Sequence, residues 1–232
     1  MRRFTLLLLL LLLSLTVVTC GAQKQEYVAR YSTYGAFSYF STPSLNLTQR
    51  GLDVDFGVNV RSWLTLGGDF SYGAGNTTLL PSNLNAATQA KLAPYVPTLQ
   101  TLGIPLAVPY NASTYTYEAG PQFNYRGFKK LTLFVRPALG ALHASIEAKP
   151  NNPLTAKLVS GLMGGSMSQS DTVVFYGFGG GMTWEATQHF GIRVAADFVH
   201  YNMFSDILDG GRNTVRVTVG TKYNFGRNIL KK

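Results

Sequence analysis

Residues 214–225, TVRVTVGTKYNF, alternate apolar and polar side chains almost without interruption and end on an aromatic before a short basic tail. Val215, Val217, Val219, Thr221, Tyr223 and Phe225 take one parity; Arg216, Thr218, Gly220, Lys222 and Asn224 take the other. Successive side chains of a strand point to opposite faces, so this run has one apolar face and one polar face. That is the pattern of a strand with lipid on one side and a polar interior on the other. Such a strand cannot stand alone in hydrocarbon, where an open edge leaves backbone N–H and C=O groups unpaired. The rest of the chain must therefore supply enough strands to close a barrel.

The opposite end is a secretory leader in form. Arg2 and Arg3 precede an apolar stretch of Leu6 to Leu13 continued by Leu15, Val17 and Val18. It is shorter than the ~20 residues that a spanning helix needs. Small residues at Cys20 and Ala22 suit cleavage before Gln23, which makes 1–22 a signal peptide and 23–232 the mature barrel domain. The alternative is a loose lipoprotein box over 17–20 with Cys20 acylated; Thr19 is a poor residue at the position before that cysteine. Cys20 is the only cysteine, so the mature chain has no disulfide and no thiolate chemistry. The chain carries 20 basic and 11 acidic residues, +9; without Arg2 and Arg3, 18 against 11 leaves +7. The basic residues are spread singly without interleaved aromatics, which argues against nucleic acid as a partner.

Parity along the mature chain gives eight alternating segments, at about 27–40, 51–61, 63–74, 113–126, 131–145, 172–186, 190–204 and 213–225. Tyr31, Phe37 and Tyr39, with Ala29 and Gly35, face lipid in the first; Leu52, Val54, Phe56 and Val58 do so in the second. Segments five and six are less clean, because Phe134, Leu142, Val173 and Phe175 fall on the interior parity. A bulge near residues 177–181 would account for it. Tight links after segments two, four and six alternate with long links at 41–49, 75–111, 147–171 and 205–212. Short periplasmic turns and long external loops are the outer-membrane arrangement, with both mature termini periplasmic. The interior parity carries Arg30, Arg61, Arg126, Arg136, Arg193, Arg216 and Lys222 against Asp53, Asp55, Asp69, Glu118, Glu185 and Asp197. An eight-stranded barrel is wide enough only for its own side chains, so these charges are expected to pair as a lumen network.

Over residues 27–225 the chain resembles the eight-stranded outer-membrane protein β-barrel family, the OmpA/OmpX-like group. The most specific match is Thr218, Gly220, Tyr223 and Phe225, similar to the family's C-terminal insertion signal. Softer matches are WLTLGGDFSY at 63–72, EAGPQF at 118–123 and GGGM at 179–182. The resemblance implies an all-β, up-and-down transmembrane barrel, porin-like in architecture, inserted by the barrel-assembly machinery into outer-membrane lipid. The tail at 226–232 departs from members that stop at the terminal aromatic.

Little here carries chemistry. His143, Ser145 and Glu147 share one face of segment five in the order base, hydroxyl and acid, as in outer-membrane lipid A deacylases, but successive same-face residues stand about 7 Å apart. Their expected role is interfacial, as for His189 and His200, and no catalytic residue, cofactor or metal is expected. The link at 75–111 is too apolar to be simply solvated: Leu84, Leu92, Val96, Leu99, Leu102, Ile104 and Leu106 run through it. Ser82 or Asn83 is placed to cap a helix reaching about Ala93, ended by Pro94 and Pro97. It is expected to form a lid over the barrel mouth or a surface for an extracellular partner or outer-leaflet lipid. The functional expectation is a non-enzymatic, monomeric structural or surface-interaction platform with a filled lumen. A narrow conduit for small or apolar solutes is the alternative, and a lipid-modifying hydrolase the third reading.

Overall fold

The computed structural model describes residues 25–230, so the leader, its cleavage site and Cys20 lie outside the described residues. Eight strands form one closed antiparallel barrel: β1 Ala29–Thr42, β2 Leu47–Arg61, β3 Leu64–Leu79, β4 Val108–Tyr125, β5 Leu131–Ala148, β6 Ser168–Glu185, β7 Phe190–Tyr201 and β8 Arg212–Asn228. Three short helices sit in the long links: α1 Ala86–Leu92 and α2 Val96–Thr101 between β3 and β4, and α3 Pro153–Leu162 between β5 and β6.

β8 closes on β1 from Tyr31↔Phe225 to Ser41↔Val215. The closure is tight at Gly220, where a Cβ would stand 2.1 Å from the Gly35 carbonyl oxygen and 2.4 Å from the Ala36 Cα. Any larger residue there would force the two strands apart. Beyond Phe225 the strand continues: Gly226 turns it with φ +90°, Asn228 pairs with Ala29 across a register shift, and the Ile229 N–H donates to the Val28 carbonyl. Residues 226–229 are thus tied to the barrel, and beside the shift Ala29, expected on the lipid side, is buried.

The outward face is apolar to a degree that water would not tolerate over so wide an area: Phe37 is 78% exposed, Val174 69% and Phe178 68%. Aromatic stacks gather near the short-turn end, among them Tyr31 with Phe225, Trp63 with Phe123, and Tyr223 with Phe190. This is the lipid-facing belt with its interfacial girdle.

The strands run well past that belt. About 9–11 tilted residues cross a bilayer, whereas β4, β5 and β6 have 18 each. Their extra length shortens the expected links, leaving 43–46, 80–107, 149–167 and 202–211. In these upper reaches the alternation inverts. Asn76, Thr78, Asn111, Glu147, Ser168 and Ser170 now face outward and exposed, while Leu47, Tyr110, Ala112, Ala144 and Ala148 turn inward and are buried. The lower barrel is apolar outside and charged inside; the upper barrel is polar outside and apolar inside.

That inversion, not a bulge, explains Leu142, Val173 and Phe175 on the interior parity of β5 and β6. Their pairing runs unbroken from Leu131↔Trp184 to Glu147↔Ser168. Leu142 and Phe175 point into the upper lumen, and Phe134 into the lower. Glycines make the room: a Cβ on Gly140 would meet the Phe175 ring at 2.8 Å, and one on Gly181 the Phe134 ring at 2.9 Å. The β4–β5 ladder is interrupted between Glu118↔Gly140 and Phe123↔Val135, where Pro121 and Pro137 lack the N–H to continue it.

Candidate functional site: a charged lumen beneath a lidded apolar chamber

The lower lumen is built around two guanidinium groups. Arg216 on β8 meets Asp69 at 2.7 Å, Asp197 at 2.9 Å, Glu118 at 3.0 Å and Asp53 at 3.4 Å. Arg136 on β5 meets Asp197 at 2.9 Å, Asp69 at 3.4 Å, and Glu118 and Asp55 both at 3.7 Å. Asp197 receives both arginines through its two carboxylate oxygens and has a fully buried side chain. The arrangement follows from register: Asp55 lies opposite Asp69, Asp69 opposite Glu118, and Asp197 opposite Arg216. Three carboxylates at one level on neighbouring strands would repel, and the planar forks of Arg136 and Arg216 span them. Arg193 approaches Asp55 at 3.6 Å and lies 4.0 Å over the Phe134 ring and 5.1 Å over that of Tyr34.

Nearer the short turns the network thins. Lys222 pairs with Glu185 at 3.4 Å, and Arg126 donates to the Ser62 carbonyl and to Gln25, Asn59 and Thr132 rather than to a carboxylate. Arg30 donates to the Asn59 carbonyl. Arg61 is a correction: a register shift between Asn59 and Arg61 reverses parity at the end of β2, so Arg61 stands exposed at the turn instead of in the lumen. The expected network is thus brought together around five acidic and three basic side chains, with Lys222 and Glu185 as a separate pair. Sequence parity passed over Tyr34 and Phe40, which also point inward and are buried.

About 30 Å³ of space remains within the charged layer, against Asp55, Asp69, Glu118, Arg136 and Arg193. That is room for about two water molecules. A cavity of about 240 Å³ at the short-turn end, lined by Gln25, Arg126, Glu185 and their neighbours, shares no lining residue with it.

Above the charged layer lies an apolar chamber of about 120 Å³, whose wall likewise has no residue in common with the space below. Leu142, Ala144, Tyr110 and Tyr201 form its barrel side; Leu92, Leu99 and Val159 of the three helices cover it. The lid is stitched by backbone: Asn85 N–H donates to the Ile207 carbonyl, Asp209 N–H to the Asn83 carbonyl, and Leu84 bridges Leu208. The cap of α1 is Asn85, whose side chain accepts from the Thr88 N–H; Asn83 instead accepts from the Leu80 N–H in a preceding 3-10 turn. Pro94 does not end the helical path, because a 3-10 turn over Ala93–Tyr95 carries it into α2. Arg212, the first residue of β8, lines the chamber and is 5% exposed. Its Nε and Nη2 have no hydrogen-bond partner among the described residues.

The polar groups on the outer wall stay apart. His143 shares a hydrogen bond with Thr172, Glu147 pairs with Lys149, His200 bonds Asn213 and His189 bonds the Asn224 carbonyl. Tyr223 and Phe225 of the expected insertion signal face outward and stack on each other at 5.9 Å, while Thr218 is buried in the lumen.

No family model matches the chain, and no curated protein does. Solved structures are similar in fold. Neisserial surface protein A superposes with a TM-score of 0.51 at 8% identity, covering 84% of this chain and 96% of its own. A major outer membrane protein from Thermus thermophilus gives 0.50 at 7%, covering 84% and 99%. Ail, the attachment invasion locus protein of Yersinia pestis, gives 0.45 at 15%, covering 84% and 96%. The first two likenesses show that the chain has the fold of an eight-stranded outer-membrane barrel.

Proposed function

We propose that the chain is a non-enzymatic integral outer-membrane protein, a rigid barrel whose charged lumen is a plug and whose external end carries an ordered lid as an interaction surface. The observation that supports this reading is the layer of Arg136, Arg216, Asp53, Asp69, Glu118 and Asp197, with space for about two waters and no shared wall with the cavities on either side. A conducting path needs an open polar channel, and here the guanidinium forks lie across it. The apolar belt, the short turns at one end and the lid at the other support the orientation: turns and both mature termini periplasmic, lid outside. Outer-membrane lipid and, during insertion, the barrel-assembly machinery are the partners proposed, and a monomer the proposed state. Any extracellular partner would meet residues 80–107.

Planar-bilayer recording of the refolded, heat-modifiable protein tests the reading. The expected result is no steady conductance, or rare small openings. Steady wild-type current, with Asp69→Ala or Arg193→Ala altering ion selectivity and leaving urea unfolding unchanged, would replace the platform by a conduit for small solutes.

A further inference from the structure

The chamber beneath the lid contains a contradiction that its own residues do not resolve. Its wall is almost entirely aliphatic and aromatic, yet Arg212 lines it, 5% exposed, with Nε and Nη2 unpartnered among the described residues. A guanidinium is always charged, and buried N–H donors without hydrogen bonds are strongly unfavourable; Asp209 acts on Arg212 electrostatically but gives its Nε and Nη2 no hydrogen bond among the described residues. The same strand shows the contrast: four residues on, Arg216 has four carboxylates within 3.4 Å. The neighbours on the barrel side do not serve Arg212. The Tyr201 hydroxyl is engaged with Thr214, and Gln49 and Thr114 bond each other.

We propose that the chamber binds a carboxylate bearing a single apolar tail, with Arg212 holding the head group and the lid enclosing the tail. Nε–H and Nη2–H form the planar donor pair that matches two carboxylate oxygens; both atoms are sealed in the ligand-free protein, so a head group engages them as the Arg212 side chain turns toward the chamber it lines. The tail would lie against Leu92, Leu99, Leu142, Ala144 and Val159. A space of about 120 Å³ is close to the ~150 Å³ that accommodates a benzene-sized body, which points to a tail of about six to eight carbons. The site is independent of the charged layer below, because the two cavities share no wall residue.

The test is equilibrium dialysis of radiolabelled octanoate against the refolded full-length mature chain in phospholipid nanodiscs, with empty nanodiscs as the reference. The expected result is saturable binding of one octanoate per barrel, with 1-octanol and acetate at least about tenfold weaker, since each lacks half of the recognition. R212Q should weaken octanoate about tenfold or more and leave octanol unchanged. A144F, which fills the chamber and keeps Arg212, should abolish octanoate binding. No saturable octanoate binding above empty discs would overturn the proposal. So would acetate binding as tightly as octanoate, octanol matching octanoate, or folded R212Q binding octanoate as well as the wild type does. Should R212Q fail to refold, the head-group series on the wild type and the A144F variant decide the matter.

Discussion

Arg212 and Arg216 lie on the same face of β8, with Thr214 between them, and they belong to two different interiors. Arg216 sits in the lower barrel, where lipid presses on the outside, the inside is polar, and its guanidinium fork finds carboxylates. Arg212 sits in the upper barrel, where the outside is wet, the inside is apolar, and its Nε and Nη2 have no hydrogen bond among the described residues. The backbone is the same antiparallel ladder throughout. What changes is which side of the wall water occupies, so one strand obeys two opposite burial rules along its length. The lower half derives its integrity from pairing charges that cannot leave; the upper half derives it from packing a lid on an apolar wall.

Five substitutions can break or sharpen that contrast, each read as a shift in the urea unfolding midpoint of protein refolded in lipid unless stated. Arg216→Met should cost most, about 3–5 kcal/mol, because Asp53 loses its salt bridge and Asp69, Glu118 and Asp197 are left buried with Arg136 alone to share. An unchanged midpoint would mean that the lower lumen is hydrated and its charges dispensable. Phe175→Ala should cost about 3 kcal/mol, since the ring is 2% exposed and packed over Gly140, which has no side chain to fill the space. Leu92→Ala should cost about 2 kcal/mol, and mainly in the lid. Amide exchange should rise across 84–102 while the strands stay protected; uniform loss of protection would show that lid and barrel unfold as one unit. Lys149→Ala should change stability by less than about 1 kcal/mol, because its pair with Glu147 is half exposed to water. Arg212→Met should be smallest, between zero and a gain of about 1 kcal/mol in ligand-free protein, since it removes a buried guanidinium whose Nε and Nη2 lack hydrogen bonds. A loss as large as that of Arg216→Met would erase the distinction between the two interiors.

Much of the lower barrel is legible from residue order. Parity along β2, β3, β7 and β8 names the lipid-facing residues and places Asp53, Asp55, Asp69, Asp197 and Arg216 inward, because a two-residue period leaves only one register that keeps charges out of lipid. It misplaces Arg61 and Ala29, and both lie where a ladder shifts register: at Arg61 the extra residue is on β2 itself and reverses its parity, while at Ala29 it is on the partner strand β8, where the regular ladder ends. The upper barrel resists the same reading. Leu142, Val173 and Phe175 look like errors of register when alternation is given one meaning from end to end. Arg212 falls in a link by parity, and no local signal marks it, since an orphaned charge is defined by what is missing around it in space.

The sequence alone determined that there are eight strands, that they face lipid, and that they must close, because hydrocarbon tolerates neither an outward charge nor an open edge. Tertiary structure decided where the lipid rule stops, which carboxylates each arginine reaches across the lumen, and that the apolar link folds inward as a lid. Those outcomes depend on distances between strands far apart in the chain, set by the closure of β8 on β1, and residue order along any one strand contains no record of them.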